Sequence, residues 1–250
     1  MKLGEQLFLA FESYGQAFRT LDNKRLWSIL ILPSILSLII AVGVGILAWT
    51  TSDDILHYVN GKFLVREFDS AVGNFFHIIA TIAIRGLTFF LYLKLYRYLT
   101  LILLSPVFVN VSNIFHRVVS GEDHKMNIWA YCFCSFRGIK FAMRNFVLEI
   151  LVTILLTLLA IIIFWIFPLV PILIFIAESY FFSMVLMDYA FEMQGLSMKE
   201  SIKKSRSIPG IPIANGLIFN FILLIPIIGV VVGPVLAFIA AQDSVHDIEN

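Results

Sequence analysis

Residues 150–177 read ILVTILLTLLAIIIFWIFPLVPILIFIA, and residues 207–242 read SIPGIPIANGLIFNFILLIPIIGVVVGPVLAFIAAQ. Neither stretch contains a charged residue, and an uncharged apolar run longer than ~18 residues is typical of a membrane segment. Prolines interrupt both runs, and proline favours a bend because it removes a backbone donor and clashes with the preceding turn. We therefore predict two helical hairpins. The predicted turn residues are Pro168, Pro171, Pro226, Gly229 and Pro234.

The composition of the whole chain indicates a membrane protein. Hydrophobic residues make up 60% of the 250 residues and charged residues 14%, with a mean hydropathy of +0.92. Soluble domains carry about 25% charged residues. We expect one integral membrane domain over residues 1–250, with an amphipathic segment at 1–25 and a polar, frayed tail at 243–250. The net charge of +1 offers no argument for nucleic-acid binding.

Two further apolar segments precede the hairpins. Residues 26–52 are uncharged and long enough to span a bilayer with some tilt. A second segment begins at residue 70, and we expect its first part to cross the membrane and its end to project into the cytoplasm, with a bend at residues 105–108. The apolar residues of the N-terminal segment recur at helical spacing, which predicts an amphipathic helix at the membrane surface. The alternative is a cytosolic helix that packs on the loops of the protein itself.

The charges predict the orientation of these segments. The basic residues concentrate before residue 26, in 116–149 and in 178–206, whereas acids outnumber bases in 53–69. The positive-inside rule places the N-terminus, the segment 122–149, which is the most soluble part of the chain, and the segment 199–206 in the cytoplasm. This pattern favours two long transmembrane helices and two half-penetrating hairpins that enter and leave from the cytoplasmic side. Six complete crossings are the alternative.

Four stretches of the sequence resemble the CysZ/EI24 family of membrane proteins, whose bacterial members include sulfate permeases. The stretches are LWSILILPSIL at 26–36, LSPVFVNVSNIFHRVVSG at 104–121, MDYAFE with MKESIKKSRS at 187–207, and LLIPIIGVVVGPV at 223–235. The resemblance implies an all-helical fold with two transmembrane helices and two half-penetrating hairpins. It also implies homo-oligomers in the bacterial inner membrane that admit sulfate for cysteine biosynthesis, without a cofactor or an ATP-binding motor.

The first of these stretches departs from the permeases. They carry a basic pair shortly before the proline of the opening helix, and this chain has Trp27 and Ser28 there. The nearest bases are Lys24 and Arg25. The free N–H groups and positive dipole of a helix N-terminus favour anions, so Asn23, Lys24 and Arg25 are candidates for an anion site. The alternative is that they are ordinary cytoplasmic anchors of the helix.

Arg85 is a charged residue inside an otherwise uncharged membrane segment. A charge at membrane depth costs at least ~2.5 kcal/mol and therefore faces a cavity or a partner. Two interpretations stay open: a cation that lines an anion path, or one half of an ion pair. The expected partners are the acids that border the later apolar runs, namely Glu149, Glu178 and Asp188.

The sequence contains no recognisable enzyme or metal motif. Cys132 and Cys134 are separated by one residue, which is not a zinc or thioredoxin spacing. Asp188 and Glu192 share a helix face, and we expect them to pair with Lys199, Lys203, Arg97 or a backbone donor. Sulfate or a related anion and the lipid bilayer are the expected partners. The alternative function is a non-transporting, structural or interaction role like that of the eukaryotic EI24-like relatives.

Overall fold

The computed structural model describes residues 1–23, 27–59, 71–120, 127–225 and 227–248. Within these ranges the chain is helical and has no strand. The α-helices are α1 Leu3–Asn23, α2 Trp27–Val59, α3 Ala71–Leu103, α4 Ser105–Ser120, α5 Ile128–Ile162, α6 Val170–Met193, α7 Met198–Ser207, α8 Gly210–Leu223 and α9 Ile228–Asp247. A short 3₁₀ helix, Phe164–Leu169, connects α5 and α6.

Five helices in the described ranges are long and apolar enough to cross a bilayer. They confirm the prediction of an all-helical membrane protein. Their apolar parts are Ile31–Val59, His77–Leu103, Ile128–Ile162, Trp165–Met193 and Gly229–Asp247.

The chain divides into two compact units. The first contains residues 1–38 and 100–250, and the second contains residues 39–99. The second unit consists of the greater part of α2 and α3, and a 2.7 Å hydrogen bond joins the hydroxyls of Thr51 and Tyr92 across these two helices.

Aromatic side chains fill the core of the first unit, where α4, α6, α8 and α9 meet. The rings of Phe108 and Phe238 stack with centroids 4.5 Å apart, and the ring of Tyr189 meets both edge-on. A second stack joins Phe182 and Phe219 at 4.2 Å. These stacked rings tie α6 to three other helices of the unit.

The predicted bend at 105–108 corresponds to a helix break at Leu104, one residue earlier, and residues 105–108 form the first turn of α4. Ser105 and Leu104 are fully buried there. The Tyr189 hydroxyl donates to the Ser105 oxygen at 2.9 Å, and Ser105 donates to the backbone carbonyl of Ser135 at 2.8 Å. Buried hydrogen bonds therefore connect this junction to both α5 and α6.

The first predicted hairpin corresponds to α5 and α6. Pro168 lies in the connecting 3₁₀ helix and Pro171 is in the first turn of α6, where proline is tolerated. α5 is much longer than the uncharged run, because it begins at Ile128 and has 35 residues. The segment 122–149, interpreted above as the most soluble part, is therefore largely the first half of a long helix.

The second hairpin corresponds to α8 and α9, and its turn lies between Leu223 and Ile228. Pro226 falls outside the described residues. Gly229 is in the first turn of α9, where an added methyl group would overlap the backbone carbonyl of Ile222. The placement of Pro234 in the turn is wrong, because it lies in the second turn of α9. The N–H that proline lacks would bond to the Val230 carbonyl, and the Ser37 hydroxyl donates to that carbonyl at 2.8 Å instead.

The prediction of a frayed polar tail is also wrong for residues 243–247. They continue α9, and Asp243, Ser244 and Val245 are buried. The physical reason is packing against α1, since the Ser244 hydroxyl donates to the Ser13 oxygen at 2.9 Å.

The N-terminal helix α1 has two different faces. Its small and polar face is buried against α8 and α9, and there the Tyr14 hydroxyl donates to the Asn215 carbonyl at 2.9 Å and Gly210 N donates to Gln6 at 2.8 Å. Burial raises the pKa of Tyr14. The opposite face is apolar and exposed, with Leu3, Phe8, Phe11 and Phe18.

Candidate functional site

Arg137 of α5 occupies a densely hydrogen-bonded charged site. Its guanidinium donates through two nitrogens to Asp188 of α6, at 2.7 and 3.2 Å. It also donates to the Ser201 oxygen at 2.9 Å and to the Leu196 carbonyl at 2.6 Å. A bidentate arginine–carboxylate pair is among the stronger polar contacts in proteins.

A second carboxylate completes this site. Glu192 Oε1 lies 3.7 Å from Arg137 Nε, and Glu192 is four residues beyond Asp188 on α6. The side chains of Arg137 and Asp188 are only 12% and 2% exposed. The site therefore joins α5, α6 and α7 through charges that are largely removed from water, and we interpret its role as structural.

The residue that binds Asp188 and Glu192 was not among the partners expected for these two acids. Asp188 pairs with Arg137, not with Lys199, Lys203, Arg97 or a backbone donor. Arg137 was missed because residues 122–149 read as a polar segment. The available signal was the unbroken helical pattern from residue 128, which places Arg137 on a long helix antiparallel to α6.

Arg85 of α3 forms a much more open ion pair. Its Nη2 lies 3.0 Å from Asp53 Oδ1, and its guanidinium carbon lies 4.4 Å from the centroid of the Trp49 ring. The side chains of Arg85 and Asp53 are 42% and 39% exposed. Arginine over an aromatic face is a favourable cation–π geometry.

The structure pairs Arg85 with Asp53, an acid that the sequence did not suggest. Asp188 is bound by Arg137, while Glu149 and Glu178 are buried in α5 and α6. Asp53 was overlooked because the first apolar run ends at residue 52 and the acids after it read as a loop. α2 continues to Val59, which places Asp53 on a helix facing α3.

The candidate site at the start of α2 stays a prediction. Asn23 is the last residue of α1, and α2 begins at Trp27. Lys24 and Arg25 lie outside the described residues.

The described residues offer no evident metal centre. No group of three or more His, Cys, Asp or Glu side chains within these ranges is placed to hold a metal ion. Cys132 is exposed and Cys134 is buried, both as free thiols.

A comparison with protein families gives a match over most of the chain. The family described as "Sulfate transporter CysZ/Etoposide-induced protein 2.4" (EI24) matches residues 13–239. No curated protein matches the chain at a significant level. The match covers all the helices described above apart from parts of the first and last, and the chain therefore belongs to the CysZ/EI24 family of membrane proteins.

Proposed function

We propose that this protein is a permease or channel that lets sulfate or a related anion cross the bacterial inner membrane for sulfur assimilation. The observation that carries this proposal is the half-exposed Arg85–Asp53 pair on two membrane-length helices. The alternative is a non-transporting EI24-like role, and the sequence feature that favours it is the absence of the basic pair at Trp27 and Ser28.

The exposure of the pair is the physical basis of the proposal. A charged side chain that faces lipid inside the membrane is costly, so charged residues in membrane segments usually face a protein partner or a water-filled cavity. One carboxylate bond and one aromatic contact leave much of the Arg85 guanidinium accessible. A cation that is accessible and only partly neutralised can attract an anion to this place on the helices.

The topology that we propose has two full crossings, α2 and α3, and two hairpins that penetrate part of the membrane. The uncharged part of α5, residues 150–162, is about 20 Å long, and α8 with 14 residues is about 21 Å long. Both are shorter than the ~30 Å hydrocarbon core. α1 then lies at the membrane surface, where its exposed phenylalanines contact lipid.

A homo-oligomer belongs to the same proposal. A hairpin that stops inside the membrane needs neighbours to cover the backbone of its turn. The exposed apolar side chains at the tip of the first hairpin, such as Trp165 and Phe167, are available for such neighbours.

Thiol labelling in right-side-out cells tests the topology. Single cysteines replace Tyr58, Trp165 or Ile227, which are all exposed in the structure, in a chain without Cys132 and Cys134. We expect an impermeant reagent to label Tyr58→Cys from outside and to leave Trp165→Cys and Ile227→Cys unlabelled. Outside labelling at the two hairpin positions would favour complete crossings.

Sulfate flux into proteoliposomes tests the function. We expect the parent protein to admit radiolabelled sulfate, Arg85→Lys to keep part of the flux because a cation remains, and Arg85→Leu to abolish it. The melting temperature of each variant is measured in the same preparation, so that lost flux is separated from lost folding. A folded parent without flux or sulfate binding would favour the non-transporting alternative.

The segment before α2 has its own test. If Lys24 and Arg25 replace the basic pair of the permeases, Lys24→Gln with Arg25→Gln should weaken sulfate binding in detergent without changing the melting temperature. Unchanged sulfate affinity would remove these residues from the proposed path.

A further inference from the structure

A second arginine on α5 approaches α6 and α7 two helical turns beyond Arg137. α5 and α6 are antiparallel and Arg137 contacts Asp188, so Arg144, seven residues after Arg137, lies level with Tyr180, eight residues before Asp188. α7 packs on the same two helices through Ser201, and Arg206 follows Ser201 by five residues in the last turn of α7. The electrostatic influence among Arg144, Arg206 and Tyr180 agrees with this placement. Arg144 and Tyr180 are half-buried and Arg206 is exposed. Two positive charges from different helices therefore converge beside one hydroxyl.

Among the described residues, no acid balances the charges at this place. Arg137 has Asp188 and Glu192 beside it, whereas neither Arg144 nor Arg206 forms an ion pair with a carboxylate in the described part of the chain. Arg144 donates from its Nη1 to Asn145 Oδ1 at 3.1 Å. Like charges that face each other in a partly buried site repel, and a bound anion would relieve that repulsion.

Asn145 provides an independent observation. The residue is fully buried, and its Nδ2 has no hydrogen-bond partner among the described residues. A buried N–H donor without an acceptor is costly, so such groups are usually satisfied by a ligand or by water. Because the amide oxygen of Asn145 is held by Arg144, the unsatisfied donor is next to the arginine pair.

We infer that Arg144, Asn145, Tyr180 and Arg206 form a binding site for a tetrahedral oxyanion, either a free sulfate or phosphate or the phosphate of an anionic lipid. Guanidinium groups match the geometry of such oxyanions and bind them through paired N–H donors. The amide nitrogen and the hydroxyl add neutral donors. The exposed Lys199 and Lys203 on α7 strengthen the positive field around the site. The inference holds whether or not the protein transports sulfate through Arg85.

Calorimetric titration of the lipid-depleted protein with sulfate tests the free-anion source. We expect Arg144→Gln with Arg206→Gln to weaken sulfate binding about tenfold or more, and Arg206→Gln alone to weaken it less, because each charged donor contributes to the bound state. Lys140→Gln is the matched control, since Lys140 is an exposed cation on α5 one turn before Arg144. Circular dichroism and the melting temperature establish that each variant is folded. If the double variant does not fold, Arg206→Gln alone still tests the inference. Arg206 is exposed at the end of α7, so we expect this single variant to fold.

Native mass spectrometry of protein reconstituted with phosphatidylglycerol tests the lipid source. Loss of bound lipid from the double variant, but not from Lys140→Gln, would support a headgroup site, and added sulfate should then displace lipid from the parent. The inference is overturned if the arginine variants retain both sulfate and lipid, if the parent binds neither, or if Lys140→Gln has an equal effect. Sulfate and lipid binding that the arginine variants retain, together with flux that depends on Arg85, would overturn this site and leave the proposed transport function intact.

Discussion

Arg137 and Arg85 are each followed by glycine and each pair with an aspartate on a neighbouring helix, but their surroundings are opposite. Arg137 donates four hydrogen bonds to Asp188, Ser201 and the Leu196 carbonyl, and its side chain is 12% exposed. Arg85 donates one hydrogen bond to Asp53, and its side chain is 42% exposed.

The glycines that follow the two arginines also differ in how closely they are packed. A methyl group on Gly138 would lie 2.6 Å from the Ser105 hydroxyl oxygen and would also overlap Tyr189, whereas a methyl group on Gly86 would meet nothing within 4 Å. Arg137 is therefore fixed in a closely packed helix junction, and Arg85 lies in open surroundings. A fixed and saturated cation supports the fold, while an accessible cation is free to meet an anion.

The largest expected effect is on Arg137. Arg137→Leu leaves Asp188 buried without its partner, and breaking a buried pair in this way costs about 3–5 kcal/mol. We expect a clearly lower melting temperature in detergent. Asp188→Leu in addition should restore much of the loss, since both charges are then removed. Stability that is unaffected by Arg137→Leu would contradict the structural role.

The glycine pair gives the next largest effect. Gly138→Ala forces Tyr189 or Ser105 to move in a filled core, and such overpacking costs about 1–3 kcal/mol. Gly86→Ala should be neutral or stabilising by up to about 1 kcal/mol, because alanine is the better helix former and space is available. Thermal unfolding of the two variants side by side measures the difference. Equal destabilisation by both would mean that the surroundings of Arg85 are as closely packed as those of Arg137.

Sequence reasoning predicted helix type and the positions of the breaks, for physical reasons that are local. The apolar runs required helices, and Pro168 marked the break between α5 and α6, because proline disrupts a helix locally. Helix lengths were predicted less well. α2 and α5 extend beyond their uncharged runs because polar residues such as Asp53 and Arg137 find partners on adjacent helices.

The partners of charged residues were the least predictable feature. Helical spacing placed Asp188 and Glu192 on one face of α6, but it contains no information about which helix lies opposite. Arg137 faces them only because α5 and α6 run antiparallel from the turn at Pro168. The same reasoning applies to Arg144 and Arg206, which are 62 positions apart (206 − 144) in the sequence and converge through the packing of three helices.

Asp53→Asn has a smaller expected effect on stability and separates the two roles of Arg85. The pair is about 40% exposed, so its loss should cost no more than about 1 kcal/mol. If Arg85 attracts sulfate, removing the competing carboxylate should lower the KM for sulfate flux. Flux that falls as far as in Arg85→Leu would instead show that the ion pair acts as one structural unit, as it does at Arg137.

The smallest expected effect concerns α7, which supplies Ser201 to Arg137. Ser197 and Glu200 cap this helix: the Ser197 N–H and hydroxyl donate to Glu200 Oε2 at 2.8 and 2.6 Å, and these bonds hold the pKa of Glu200 below its ordinary value. A depressed pKa means that the carboxylate stabilises the cap above the unfolded pKa of about 4.3 and that this stabilisation is lost as the pH falls through the folded value. As the pH falls through the folded pKa, we expect hydrogen exchange in α7 of the parent to increase relative to Glu200→Gln at the same pH. Exchange in α3 around Arg85 should change little. The effect is small because Glu200 is exposed to water. Exchange in α3 that follows the same pH dependence would break the contrast between the two arginines.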